Sequence, residues 1–271
     1  MNLNDIFSDM SKFGLGEVAA KQEVVFKEPA QKDTLERKAE SHIDEDFNIK
    51  DYIFEKKFEC PACEKETISN VVREKKIRIE SVEFDLYLKC SPIDPLYYDV
   101  IICNNCGYAA TKNSFGYLSE RQQKLIAENI TANFKPISYP DELTVEMAIE
   151  RYKLALLNAV VKQAKNGERA YICTKLAWLY RICDDEESMK KFAALSITGF
   201  KKALTTESVP IMGLTDNTVL YLIGAFSKVV GDYEGAIKML SGVVVSKSAS
   251  ERLKDRARDL KTEIIVMKTQ S

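Results

Sequence analysis

The apolar positions change period partway along the chain, and that change divides it. Between residues 49 and 116 they cluster and alternate as strands do. YIFEKKF, IRIESVEFDLYL and YYDVIIC are rich in Ile, Val, Phe and Tyr, and short polar or proline-containing breaks separate them. The break SPIDP, with Pro92 and Pro95, predicts a turn just before the last strand. From Ser119 the period becomes helical. Ser119 and Gln122 make a capping-box pattern that opens a helix through about Ala132, and KPISYPDE ends it. After Thr144 come four strongly apolar helical segments: TVEMAIERYKLALLNAVVKQA, ERAYICTKLAWLYRIC, EESMKKFAALSITGFKKALTT and TDNTVLYLIGAFSKVVG. DYEGAIKMLSGVVV and ASERLKDRARDLKTEIIVM close the chain. Asn166 with Gly167, a capping box over Asp184 to Glu187, and Gly231 before Asp232 mark the joints, which are short enough to make antiparallel hairpins.

Residues 1 to 48 are different again. Ile6, Phe7, Met10 and Phe13 suit a short amphipathic turn that docks on a partner or on the body of the protein. The stretch that follows is dominated by polar and charged residues and carries too little apolar surface to order itself, so a flexible arm is expected. The fold class expected is α+β, in three parts: an N-terminal arm over 1–48, a small antiparallel β domain over 49–116 and an all-α domain over 117–271.

Candidate chemistry lies in the β region. CPAC holds Cys60 and Cys63, and CNNCG holds Cys103, Cys106 and Gly107. Two residues between cysteines let one tight turn present both sulfurs to the same ion, and two such turns complete a tetrahedral shell for one structural zinc. Gly107 follows the second pair, where a residue free to take positive φ turns backbone amides toward the thiolates; Glu64 stands at the matching place after the first. A redox Cys-x-x-Cys and a pair of disulfides are the rival readings. Cys173 and Cys183 fall in apolar helices and read as buried thiols, while Cys90 ends a strand and is a candidate extra ligand.

Seven cysteines, an odd number, together with no charged-then-apolar leader and no apolar run near 20 residues, point to a cytoplasmic protein outside the membrane. Lys plus Arg against Asp plus Glu number 7 and 11 in residues 1–50, 8 and 11 in 51–110, and 24 and 19 in 111–271, giving −4, −3 and +5. Four thiolates around a divalent ion add about −2 to the β domain. That disfavours nucleic acid as a partner, apart from the run Arg73, Lys75, Lys76 and Arg78, which reads as one solvated strand face. The chain's one histidine, His42, lies in the polar arm, so neither a Ser-His-Asp nor a Cys-His nucleophilic site can be assembled in the folded part, and there is no phosphate-binding glycine loop. Four cysteines also close the metal shell against a catalytic water. No enzyme is expected.

The hairpin around Gly231 resembles a tetratricopeptide repeat. Leu220 and Gly224 stand upstream, GDY follows, and Ala236 and Leu240 fall where a second helix packs on the first. LAWLYRICDDEESMKKFAAL, with Tyr180 and Ala193 or Ala194, is a looser copy. Repeats of this kind bind peptides, which makes a surface around Tyr180, Tyr221, Phe226 and Tyr233 the expected meeting place for a protein partner.

CPAC, VVREKKIR, the DP turn before YYDVIIC, CNNCGYAA and the AWLYR helix, in that order, resemble the bacterial family called domain of unknown function 2225, over roughly residues 50 to 265. The resemblance implies a cytoplasmic bacterial protein with a zinc-ribbon-like module and tetratricopeptide-like helices, and it implies no activity. Glu64, Asn104 and Asn105 depart from the family pattern without touching the ligands. The expectation is a non-enzymatic zinc-binding adaptor, with a nucleic-acid-binding regulator and a thiol redox or metal sensor as alternatives.

Overall fold

The computed structural model describes residues 6–22 and 47–270, and His42 lies outside them. The chain forms two compact units, Met1–Arg78 with Cys90–Ala164, and Ile79–Lys89 with Lys165–Ser271. This division falls elsewhere than the change of period at residue 116. The first two helices after the strands belong with the cysteines, and eleven residues of the β region belong with the helices.

In the first unit, β1 (Ile53–Glu59) pairs antiparallel with β2 (Glu66–Val72), in a register running from Ile53 opposite Val72 to Glu59 opposite Glu66. β5 (Val100–Ile102) pairs with β6 (Ala109–Thr111) in the same way. Each hairpin turns through one Cys-x-x-Cys segment. β5 and β6 are buried at every position, because α3 (Val145–Val161) lies against both, capped by Thr144 accepting from the Met147 amide. α2 (Glu120–Ile126) opens with the expected Ser119–Gln122 capping box and ends in a π turn over Ala127–Thr131.

The N-terminal segment also belongs here. Ile6, Phe7, Met10, Phe13 and Leu15 are buried, and α1 (Gly16–Lys21) follows. Phe13 stacks on Phe134 and its carbonyl accepts from the Lys135 amide at 2.8 Å. The apolar turn therefore docks on the protein's own body, and the flexible arm expected over 1–48 is corrected over residues 6–22. Phe47 stacks on Tyr52 and Asn48 caps the turn that follows, while residues 1–5 and 23–46, the remainder of that expectation, lie outside the described residues.

REKK is not a strand. Glu74–Lys76 form a 3-10 turn, Arg73 lies over the Phe54 ring at 5.0 Å and Lys76 over Tyr52 at 5.9 Å. The strand resumes as β3 (Arg78–Val82), which pairs with β4 (Leu88–Ser91).

The second unit consists of α4 (Asn166–Ile182), α5 (Glu186–Thr206), α6 (Asp216–Val229), α7 (Tyr233–Val245) and α8 (Glu251–Gln270), with the tip of the β3–β4 hairpin. The joint before α5 differs from the expected capping box by one residue: Asp184 takes φ 55°, and Asp185 is the cap, accepting from the Ser188 amide at 2.9 Å. Gly231 takes φ 82° and Asp232 caps α7, as its position predicted. Helix pairs pack through small residues. A Cβ on Gly224 would lie 2.8 Å from Leu240, and one on Gly199 would lie 2.8 Å from the Ala170 methyl. These close approaches place Ala236 and Leu240 as the repeat-like pattern required. In the looser copy Ala193 is the buried alanine, and Ala194 is exposed.

Phe84 and Leu86, from the hairpin tip, pack onto the cluster that Tyr221, Leu240 and Ile264 share. The Tyr221 hydroxyl donates to the Phe84 carbonyl at 2.7 Å, and Arg256 donates to the Val82 and Glu83 carbonyls at 3.3 and 3.4 Å. Arg181 pairs with the buried Asp85 carboxylate. Burial pushes the Asp85 carboxyl upward and the Arg181 charge pulls against that. The polar residues of VEFDLYL are therefore structural partners of the helices.

Candidate metal centre

The two knuckles are the loops of two hairpins, and they are built alike. In the first, the Cys60 amide donates to the Lys65 carbonyl at 3.0 Å and the Glu64 amide to the Cys60 carbonyl at 2.8 Å. In the second, the Cys103 amide donates to the Tyr108 carbonyl and the Gly107 amide to the Cys103 carbonyl, both at 2.8 Å. Glu64 takes φ 59° and Gly107 φ 77°. Glu64 thus adopts the same left-handed turn that glycine takes in the second knuckle, and the sequence departure leaves the knuckle shape unchanged.

Helices hold both loops. Gln123, on α2, donates to the Pro61 carbonyl at 2.9 Å, and Thr131, on the π turn, donates to the Cys106 carbonyl at 3.0 Å. Asn158, on α3, donates to the Gly107 carbonyl at 3.2 Å. Thr67 of β2 donates to the Ile102 carbonyl at 3.3 Å. These polar tethers carry no motif, and only their place on amphipathic elements near the cysteines could have marked them in the sequence.

The outcome is a cluster of four sulfurs within 4.8 Å of one another. Cys60 and Cys106 sulfurs are 3.6 Å apart, and those of Cys63 and Cys103 are 3.7 Å apart. A disulfide requires about 2.05 Å, so all four are free thiols. A tetrahedral ion bonded to sulfur at about 2.3 Å sets its ligands about 3.8 Å apart. The donor set therefore fits one four-coordinate metal ion. Cys60, Cys103 and Cys106 are buried and Cys63 is half-buried. Hydrogen bonds from Cys106 and then Cys60 hold the Cys103 thiol far below its ordinary value, while the Cys103 interaction pushes Cys106 and Cys60 upward. One negative charge is easily accommodated among these sulfurs and four are not, which is the electrostatic demand that a bound cation meets.

Cys90 is not a member of the cluster. Cys173 is fully buried and burial pushes its thiol up to about 12. The aromatic surface expected for a partner needs correction. Tyr221 and Phe226 are each 1% exposed and belong to the packing of the second unit. Tyr180 is half-buried and stacks on Phe192 with centroids 5.3 Å apart, and Tyr233 packs against the Tyr221 cluster. Five residues apart on a period of 3.6, they point to different sides of α6, and α5, α7 and α8 all pack against that helix, so neither ring is left open.

A small β module closed by a four-cysteine centre, joined to a set of helical hairpins, defines the class. The family described as "uncharacterized protein conserved in bacteria" (DUF2225) matches residues 53–264, and the chain belongs to it. No curated protein and no solved structure matches the chain.

Proposed function

We propose that the protein is a non-enzymatic zinc-binding adaptor of the bacterial cytoplasm, in which the metal is structural and the helical hairpins meet a protein partner. The observation that carries this reading is the sulfur cluster: four cysteines complete a tetrahedral shell, so a zinc ion there has no open position for water or substrate. Each cysteine pair closes a short hairpin, and a metal held by both pairs would tie the two hairpins of the first unit together. The repeat-like packing at Gly224 and Leu240 supports the adaptor role, because stacked hairpins of this kind bind peptides on a concave face. No helix among the described residues is long and apolar enough to cross a membrane.

Elemental analysis of the freshly purified full chain tests the first half. About one zinc per chain is expected, with none in the Cys60→Ser, Cys103→Ser double variant; fewer than seven free thiols and no zinc would instead make the cysteine pairs redox groups. Cross-linking in bacterial cells followed by purification of the tagged full chain tests the second. Recovery of one protein in reproducible excess over a tag-only control supports an adaptor, and its absence removes that role while leaving the zinc result standing.

A further inference from the structure

Among the described residues of the first unit, Arg151 is the one guanidinium that is buried without an anion beside it. It lies on α3, is 8% exposed, and one Nη donates to the Val100 carbonyl. Its Nε has no hydrogen-bond partner. Among the described residues, no carboxylate oxygen lies within 4.0 Å of it. Its surroundings are phenols: the Tyr139 ring lies 5.2 Å from the guanidinium carbon, and Tyr98 and Tyr152 are the other groups it senses. Burial depresses its proton affinity, with only those tyrosines acting in the opposite direction. A buried cation normally has a charged or fully hydrogen-bonded partner, since removing it from water costs several kcal/mol.

Arg151 lines a cavity of about 130 Å³. Ser69 of β2, Asn104 of the second knuckle, and Ser138 and Tyr139 of the loop before α3 supply polar groups to it, while Ile102 and Leu143 supply apolar wall. The cavity therefore has one fixed positive charge, several neutral hydrogen-bonding groups and an apolar side.

We propose that this cavity binds a small organic monocarboxylate, with the Arg151 guanidinium taking the carboxylate and Ile102 and Leu143 receiving a short alkyl tail. A planar carboxylate matches the fork of N–H donors that arginine presents. Phosphate fits less well, because it carries about −1.5 to −2 at neutral pH. Among the described residues, Arg151 is the only cationic side chain lining the cavity. Asn104 stands between ligands Cys103 and Cys106, so the bound anion would rest against the backbone of the metal knuckle.

Titration calorimetry on the zinc-loaded full chain tests this, with butyrate as probe and phosphate and butylamine as controls at constant ionic strength. Saturable binding of butyrate to one site is expected, with at least tenfold weaker binding of both controls. Arg151→Met should weaken butyrate at least tenfold. Because that variant also loses the Val100 contact, a second variant leaves Arg151 in place. Ser138 is exposed at the cavity rim, and Ser138→Trp should block butyrate while melting as the parent does without probe. No saturable butyrate binding overturns the proposal. So does phosphate binding more tightly than butyrate, or butyrate binding that survives unchanged in a folded Arg151→Met or Ser138→Trp chain.

Discussion

Gly107→Ala is the substitution that most directly tests how the metal centre is built. Gly107 takes φ 77°, a conformation that costs an L-residue about 1–2 kcal/mol. A Cβ there would also lie 2.4 Å from Phe134 Cγ and 2.5 Å from Cδ2. The ring is not free to retreat, since it stacks on the buried Phe13, whose carbonyl holds the Lys135 amide. Overpacking of this kind costs about 1–3 kcal/mol. Stiffening of the unfolded chain returns about 0.4–1 kcal/mol. The net expectation is a loss of about 2–4 kcal/mol in the unfolding free energy of the zinc-loaded chain, measured in urea, with weaker zinc retention against a chelator. Glu64 is the internal control. It holds φ 59° with its side chain in solvent, so Glu64→Gly removes the conformational cost and adds a similar unfolded-state entropy. That variant should fall within about 1 kcal/mol of the parent, on the stable side. A Gly107→Ala chain within 0.5 kcal/mol of the parent would refute the packing argument, and equal losses at both positions would refute the distinction between the knuckles.

Two further outcomes follow from the second unit. Burial raises the Tyr221 phenol to about 12, and its hydroxyl donates to the Phe84 carbonyl. An acid whose folded value lies above its unfolded value of about 10 contributes fully below pH 10 and loses that contribution as pH rises from 10 to 12. Tyr221→Phe should therefore cost about 1 kcal/mol at pH 8 in urea unfolding, and the gap to the parent should close toward pH 12. Arg181→Met leaves Asp85 buried and unpaired, for an expected loss of about 3–5 kcal/mol, much of it recovered in the Asp85→Leu, Arg181→Met double variant. A double variant no better than the single would show that the pair is held by something other than its charge.

Short-range chemistry was legible in the sequence and long-range packing was not. Cysteine spacing located the four sulfurs, and the Ser119 capping box and the Gly231–Asp232 joint located helix starts, because each depends on residues within a few positions. The Tyr221 and Phe226 error arose at longer range: an aromatic on an apolar helix reads alike whether a partner or a neighbouring helix covers it. Arg151 showed no signal at all, since its isolation depends on which carboxylates the fold leaves out of reach. REKK failed as a strand for a local reason: the alternation of charged and apolar residues also suits a 3-10 turn whose cations lie over Phe54 and Tyr52.

The hairpin tip has the widest consequence for how the helices can be handled. A fragment beginning at residue 117 keeps every helix of the second unit and discards residues 79–89, which that unit includes. Three groups would lose partners together: the Tyr221 hydroxyl, the Arg181 guanidinium and the Arg256 guanidinium. Phe84 and Leu86 would also be stripped from the cluster around Leu240 and Ile264. Each lost polar partner costs about 1–3 kcal/mol, and each large apolar side chain about 1.5–3. The sum is comparable to the 5–15 kcal/mol that holds a whole domain together. The 165–271 fragment should therefore keep its helical circular dichroism while losing a cooperative melting transition. Adding a peptide of residues 78–90 in trans should restore the transition in a concentration-dependent way. A fragment that melts as sharply without the peptide as with it would show that the hairpin decorates the helical unit and does not complete it.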